Sequence, residues 1–201
     1  MNKNIKALLI ILLIGIIVAG IMWGIAVKVC KGNKNKQIVE YDLDKIYSSK
    51  AASGYTDIRN LREDYDMDYN IGEAQKDRCL VVGAMVHNED VYIEFNEKYK
   101  RKETAFIRVV QHTSNGETYI IDVFYDSVAD KAYVVTDRTR DSSIEDNERK
   151  NIKLDKYEHI GIWQNEKYER YWAVYNGELP TYGDGAGKIS SGNLYLILRI
   201  G

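Results

Sequence analysis

The sequence predicts an α+β fold: an antiparallel, meander-like sheet with two or so short helices, preceded by one N-terminal transmembrane helix. Three observations lead there. The run from Ala7 to Val27 carries no charge. Val91, Phe95 and Tyr99 recur every four residues inside a charged stretch, the spacing of one helix face. From Ala105 onward, β-branched and aromatic runs alternate with turn signals, as strands of a meander do.

The N-terminal run comes first. Ala7, Ile14 and Val27 mark its start, middle and end. At about 1.5 Å per residue such a helix is roughly 31 Å long, enough to cross a bilayer core. It is longer than the apolar core of a cleaved secretory signal, so a retained signal anchor is the expectation, with the lipid bilayer as partner of residues 7–27. A buried core helix fits poorly, because the run is apolar on every side. Lys3 and Lys6 precede it; Lys28, Lys31, Lys34 and Lys36 follow it. Counted literally, those lysines place the C-terminal domain in the cytoplasm. The very short basic start and the tyrosine-rich, cysteine-poor domain argue for the other side, and an extracytoplasmic domain is the orientation adopted. Cys30 is preceded by Val27-Lys28-Val29, and Lys28 breaks the pattern a lipid-modified cysteine needs.

Residues 1–6 are thus a tail, 7–27 the anchor, 28–40 a basic stalk and 41–201 a single domain. The first 36 residues hold six of the chain's 28 basic residues and none of its 30 acidic ones. The remaining 165 carry 22 basic against 30 acidic residues, a net charge of −8. That surface repels phosphate backbones, so nucleic acid is not an expected partner. Cys30 and Cys79 form no recognisable disulfide framework; Cys79 is expected to be buried and Cys30 unpaired.

Within the domain, Asn70 followed by Glu73 resembles a capping box, with a short helix through Ala74 to Arg78 and a buried strand at Cys79–Val82. Asn88 or Asp90 starts the second helix, which ends on the cations Lys100, Arg101 and Lys102. Strands are expected at Ala105–Thr113, Thr118–Asp126, Ala132–Thr139, Ile152–Tyr157, His159–Gln164, Tyr171–Tyr175 and Leu194–Ile200. Asn115-Gly116 supplies a two-residue hairpin signal between the first two of these. That hairpin places Arg108 opposite Val123, with Phe106, Val110 and His112 on its face. Pairing Asp126 with Ala132 in the next hairpin puts Asp137 opposite Ile121, within reach of Arg108.

Several residues in this stretch carry a likeness: His87-Asn88, Phe106-Ile107-Arg108-Val109-Val110-Gln111, Thr113, Gly116, Tyr125-Asp126 and Asp137-Arg138-Thr139-Arg140-Asp141. In order and spacing they resemble the domain of unknown function 4362 family, found mainly in Gram-positive bacteria, over roughly residues 64–178. The resemblance implies one folded extracytoplasmic unit behind a signal or lipoprotein leader. It implies no activity and hands over no catalytic residue. This chain departs from the lipoprotein members in lacking their lipid-modification motif.

Motifs for chemistry are sparse. Asp64, Asp66, Asp68 and Asn70 alternate as in a calcium loop, but Tyr69 and Gln75 stand where Gly and Glu are required. Gly183–Lys188 brushes against a phosphate-binding loop, but Tyr182 replaces its first Gly and Ile189 its Ser/Thr. His87, His112 and His159 show no metal-ligand spacing, and neither a metal nor a cofactor is expected. The strongest charged constellation is Arg108, Asp137, Arg140 and Asp141. It reads either as ion pairs stiffening the sheet or as a polar patch that binds a ligand carboxylate or a peptide. The functional expectation is a non-catalytic binding or envelope-sensing module, with an envelope protein or peptide as partner. Two rivals stand beside it. One is an envelope hydrolase with paired acids such as Asp137 and Asp141, whose carboxyl groups should converge at about 5–10 Å. The other, following the lysine count, is a cytoplasm-facing regulatory domain.

Overall fold

A computed structural model describes residues 40, 42–61, 71–112, 118–140, 152–165, 167–179 and 194–200. The expected anchor with Ala7, Ile14 and Val27, the stalk up to residue 39, Asp64–Asn70, the Asn115-Gly116 turn, Asp141 and the Gly183–Lys188 loop lie outside them. Among the described residues no helix is long and apolar enough to cross a membrane. The chain divides into two compact units, residues 1–45 and 46–201. In the first, Leu43 is buried and Asp44 and Lys45 are exposed. All that follows concerns the second.

Helix α1 (Ile71–Lys76) starts at the residue after the expected Asn70 cap and stops two residues before the expected Arg78. The stop has a local cause. The Arg78 N–H donates to the Gln75 carbonyl (3.1 Å) and the Cys79 N–H to the Ala74 carbonyl (2.9 Å), the paired bonds of a Schellman ending. Arg78 occupies its left-handed position at φ 55°, where glycine is usual and an L-residue costs about 1–2 kcal/mol. Strand β1 (Leu80–Val82) follows, then a short β2 (Val86–His87). Cys79 is a buried thiol rather than half of a disulfide.

Helix α2 (Glu89–Lys100) has acids in its first turn and lysines in its last, matching the helix dipole. Val91 and Phe95 form its buried stripe. Asn88 precedes it in a left-handed conformation and makes no side-chain cap. Its side-chain amide instead donates to the carbonyls of Gln75 (3.0 Å) and Cys79 (2.9 Å), tying the start of α2 to the end of α1.

Strands β3 (Ala105–His112), β4 (Thr118–Asp126), β5 (Lys131–Asp137) and β6 (Lys153–Tyr157) form the expected antiparallel meander. The sheet as a whole is mixed, in the order β2-β1-β3-β4-β5-β6, because β1 lies parallel to β3. The turn from β1 into β2 and the crossover through α2 return the chain in the same direction. The later strands do not extend this sheet. β7 (His159–Gln164), β8 (Arg170–Tyr175) and β9 (Leu194–Ile200) make a separate three-stranded sheet.

Both meander registers differ by one residue from expectation. Arg108 pairs with Asp122 and Ile107 with Val123; His112 pairs with Thr118, leaving residues 113–117 between the strands. Asp126 pairs with Lys131, so Asp137 stands opposite Ile120. At the second turn the physical reason is visible: the Asp126 carboxylate accepts the Val128 and Ala129 N–H groups, fixing a four-residue connection.

One face of the six-stranded sheet is apolar. Leu80, Ile107, Val109, Ile121, Val123 and Val134 pack there with Val91 and Phe95 of α2 and with Ile160, Trp172, Val174 and Ile197 of the second sheet. Trp172 is fully buried, with edge contacts to the Tyr92 and Phe95 rings at 5.2 and 5.3 Å. Segment 46–61 covers the opposite face. It buries Ile46, Ala52, Ile58 and Leu61 and sets the Tyr47 and Tyr55 rings against Phe106.

Candidate functional site

Arg108 and Asp122 face each other across β3 and β4 in the middle of the covered face, 1 % and 0 % exposed. The guanidinium is bidentate: Nε donates to Oδ1 at 2.7 Å and Nη2 to Oδ2 at 2.6 Å. Nη2 also donates to the Thr56 carbonyl at 2.8 Å, and the Tyr47 hydroxyl donates to Asp122 Oδ2 at 2.7 Å. The Tyr55 ring lies 5.6 Å from the guanidinium carbon. Burial by itself lowers the Arg108 pKa; the charge and hydrogen bonds of Asp122 outweigh it, and the group is held charged. Burial, then the Asp122 charge, raise the Tyr47 phenol well above its usual range. Tyr55 is pushed up to about 12, chiefly by burial.

The expected Arg108–Asp137 pair is therefore corrected: the one-residue register shift gives Arg108 its own carboxylate. Asp137, 1 % exposed, pairs instead with Arg140 at 2.9 Å, while its other oxygen accepts the Thr139 N–H at 2.8 Å. Arg140 Nη2 reaches on to the Leu61 carbonyl at 3.1 Å. This corner ends β5 at Asp137, short of the expected Thr139. Asp141 lies outside the described residues. Arg108, Asp137 and Arg140 are thus brought to one buried face as two separate pairs.

Four other residues of the likeness, Asn88, Gln111, Tyr125 and Asp126, also make hydrogen bonds within the fold, while Thr113 and Gly116 lie outside the described residues. Asn88 joins the two helices, and the Gln111 side-chain amide donates to the Ile197 carbonyl. That carbonyl belongs to a residue with no partner on β8, where the β8–β9 register shifts between Trp172 and Ala173. Asp126 holds its turn, and the neighbouring Tyr125 hydroxyl donates to Asp130 at 2.6 Å. Sequence reasoning missed Asp122. Its signal was available: besides Asp126 at its end, the mostly apolar nine-residue strand holds one acid in its interior, Asp122, beside a strand holding a single arginine.

Concavities open elsewhere among the described residues. One, of about 430 Å³, opens between residues 50–55, the α1–β1 connection and α2. Lys50, Lys76, Arg78 and Lys98 line it together with Asp77 and Glu94. Tyr55, Val91, Phe95 and Phe106 contribute its less polar wall. Gly54 at its mouth has φ +98°, a conformation that a side chain would strain. Another, of about 680 Å³, lies where β1–β3 approach β9 and is lined by Val82, His112, Tyr119, Tyr171, Leu198 and Arg199 among others. There His112 Nδ1 is 2.9 Å from the Thr118 hydroxyl, and burial lowers the imidazole pKa. No three His, Cys, Asp or Glu side chains among the described residues converge as a metal-binding group.

Comparison of the chain with protein-family models, with curated proteins and with solved structures returns no match in any of the three.

Proposed function

We propose that this chain is a membrane-anchored, extracytoplasmic domain that binds or interacts without catalysing a reaction, tethered through residues 7–27. One observation supports the non-catalytic part: among the described residues, Arg108, Asp137 and Arg140 are held in buried structural pairs. Asp137, the described member of the acid pair a hydrolase would use, spends both oxygens on Arg140 and the Thr139 N–H. A general acid or base needs a proton-accessible carboxyl within reach of substrate. The location rests on the charge-free run from Ala7 to Val27 and on the likeness to an extracytoplasmic family.

Val128, 93 % exposed at the β4–β5 turn, gives a reporter position. In full-length protein carrying Val128→Cys and Cys30→Ser, a membrane-impermeant maleimide added to intact cells is expected to label the chain, and the labelled chain to sediment with membranes. Label that enters only after permeabilisation would establish the cytoplasm-facing regulatory reading, which the four lysines after the anchor favour. Full-length, unprocessed protein in the soluble fraction would remove the tether itself.

A further inference from the structure

We propose that the 430 Å³ concavity beside α2 is a binding site for a small phosphorylated organic molecule, held by Lys50, Lys76 and Arg78 at its rim. The inference rests on the non-catalytic binding reading and names the ligand class it implies.

Charge is the first ground. The lining holds four cations, Lys50, Lys76, Arg78 and Lys98, against two acids, Asp77 and Glu94. That local excess sits within residues 37–201, whose net charge is −8. Lys98 is committed to Glu94 at 2.8 Å. Arg78 reaches Asp90 and Glu94 only at 3.6 Å, with its side chain 65 % exposed. Lys50 and Lys76 enter no ion pair among the described residues. A phosphate monoester, near two negative charges at neutral pH, complements that excess. The volume falls within the range of small-molecule sites.

Arg78 itself is the second ground. Helices α1 and α2 each close with a left-handed residue where glycine is usual, and each uses a cation there, Arg78 after α1 and Lys102 after α2. Lys102 is explained by the fold: it pairs with Asp130 at 2.8 Å and lies near the Tyr99 and Tyr125 rings. Arg78 has only long surface contacts, which contribute little to stability. Its backbone is nonetheless held in place, since its carbonyl accepts the Tyr55 hydroxyl at 3.0 Å. A strained backbone that presents a mostly exposed guanidinium to a cavity is accounted for by a ligand. The Tyr55 and Phe106 rings on the same wall supply a surface for the organic portion.

The probe is phenyl phosphate, titrated calorimetrically into the full-length protein in zwitterionic detergent. Saturable one-to-one binding is expected, with inorganic phosphate binding more weakly. Arg78→Gly should weaken binding at least tenfold while leaving the melting temperature equal or higher, because glycine relieves the left-handed strain. Lys50→Gln should weaken binding without changing the melting temperature. Absence of saturable binding, or undiminished binding in both variants, overturns the site; equal affinity for inorganic phosphate overturns its organic half. Release of phenol would leave the site standing and overturn the non-catalytic reading instead.

Discussion

The two faces of the six-stranded sheet are equally dry and are held by different physics. On one, Ile107, Val109, Ile121 and Val123 meet α2 and the second sheet through apolar contact alone. On the other, residues alternating with these along the same strands include Arg108 and Asp122, covered by segment 46–61. Apolar burial is graded, since each methyl group lost removes its own contribution. The charged face is conditional. Two buried ions are tolerated only while each has its partner and the remaining donors and acceptors are filled.

The largest effect is expected where that condition is broken. Asp122→Ala strands the Arg108 guanidinium and the Tyr47 hydroxyl, and should destabilise the domain by about 3–5 kcal/mol in urea unfolding. The double variant Arg108→Met/Asp122→Leu removes both charges and should be clearly more stable than Asp122→Ala, a non-additivity that identifies the pair as the coupled unit. If the double variant is as unstable as the sum of its single changes, the two side chains act independently and the contrast between the faces dissolves.

A smaller effect is expected one residue away. Ile107 neighbours Arg108 on β3 but points into the apolar core. Ile107→Val should cost roughly 0.5–1.5 kcal/mol, the usual range for one buried methyl group. Its effect should add to that of Ile121→Val to within about 0.5 kcal/mol unless the two share a cavity. The same unfolding measurement thus contrasts graded loss on one face with all-or-none loss on the other.

Much of this architecture was legible in the chain. Thr118–Asp126, His159–Gln164 and Leu194–Ile200 occur with the expected bounds, because β-branched and aromatic residues run continuously between turn signals. Helix α2 was legible from Val91 and Phe95. Register was not. Asn115-Gly116 is a strong hairpin signal, yet pairing follows which side chains must share a face, and the Arg108–Asp122 pair requires the register actually found. The parallel placement of β1 beside β3 was hidden because a three-residue strand carries no directional signal. Arg108, Asp137 and Arg140 were legible as an unusual cluster, but their burial was not. It depends on segment 46–61, whose buried Ile46, Ala52, Ile58 and Leu61 follow neither a helix nor a strand period and so form no apolar stripe in the sequence.

The finest contrast between the faces is one of proton affinity. Tyr47 and Tyr55 belong to the charged face, and Tyr157 belongs to the apolar core. All three phenols are raised, Tyr157 to about 12, and burial is the leading cause in each. For Tyr47 the next cause is the Asp122 charge, to which its hydroxyl donates. A phenol whose folded pKa exceeds its unfolded value, about 10, stabilises the fold fully below that value. Its contribution is lost as pH climbs through the interval between them. Spectrophotometric titration should therefore show a set of tyrosines that ionise late, together with alkaline unfolding. Tyr47→Phe should remove one member of that set and leave Tyr157 in place. Asp122→Asn should lower the Tyr47 midpoint, because the carboxylate that opposes its ionisation is gone, while the Tyr157 midpoint stays fixed. An unmoved Tyr47 midpoint in Asp122→Asn would mean that burial alone sets it, and that the charged face differs from the apolar one only in which side chains fill it.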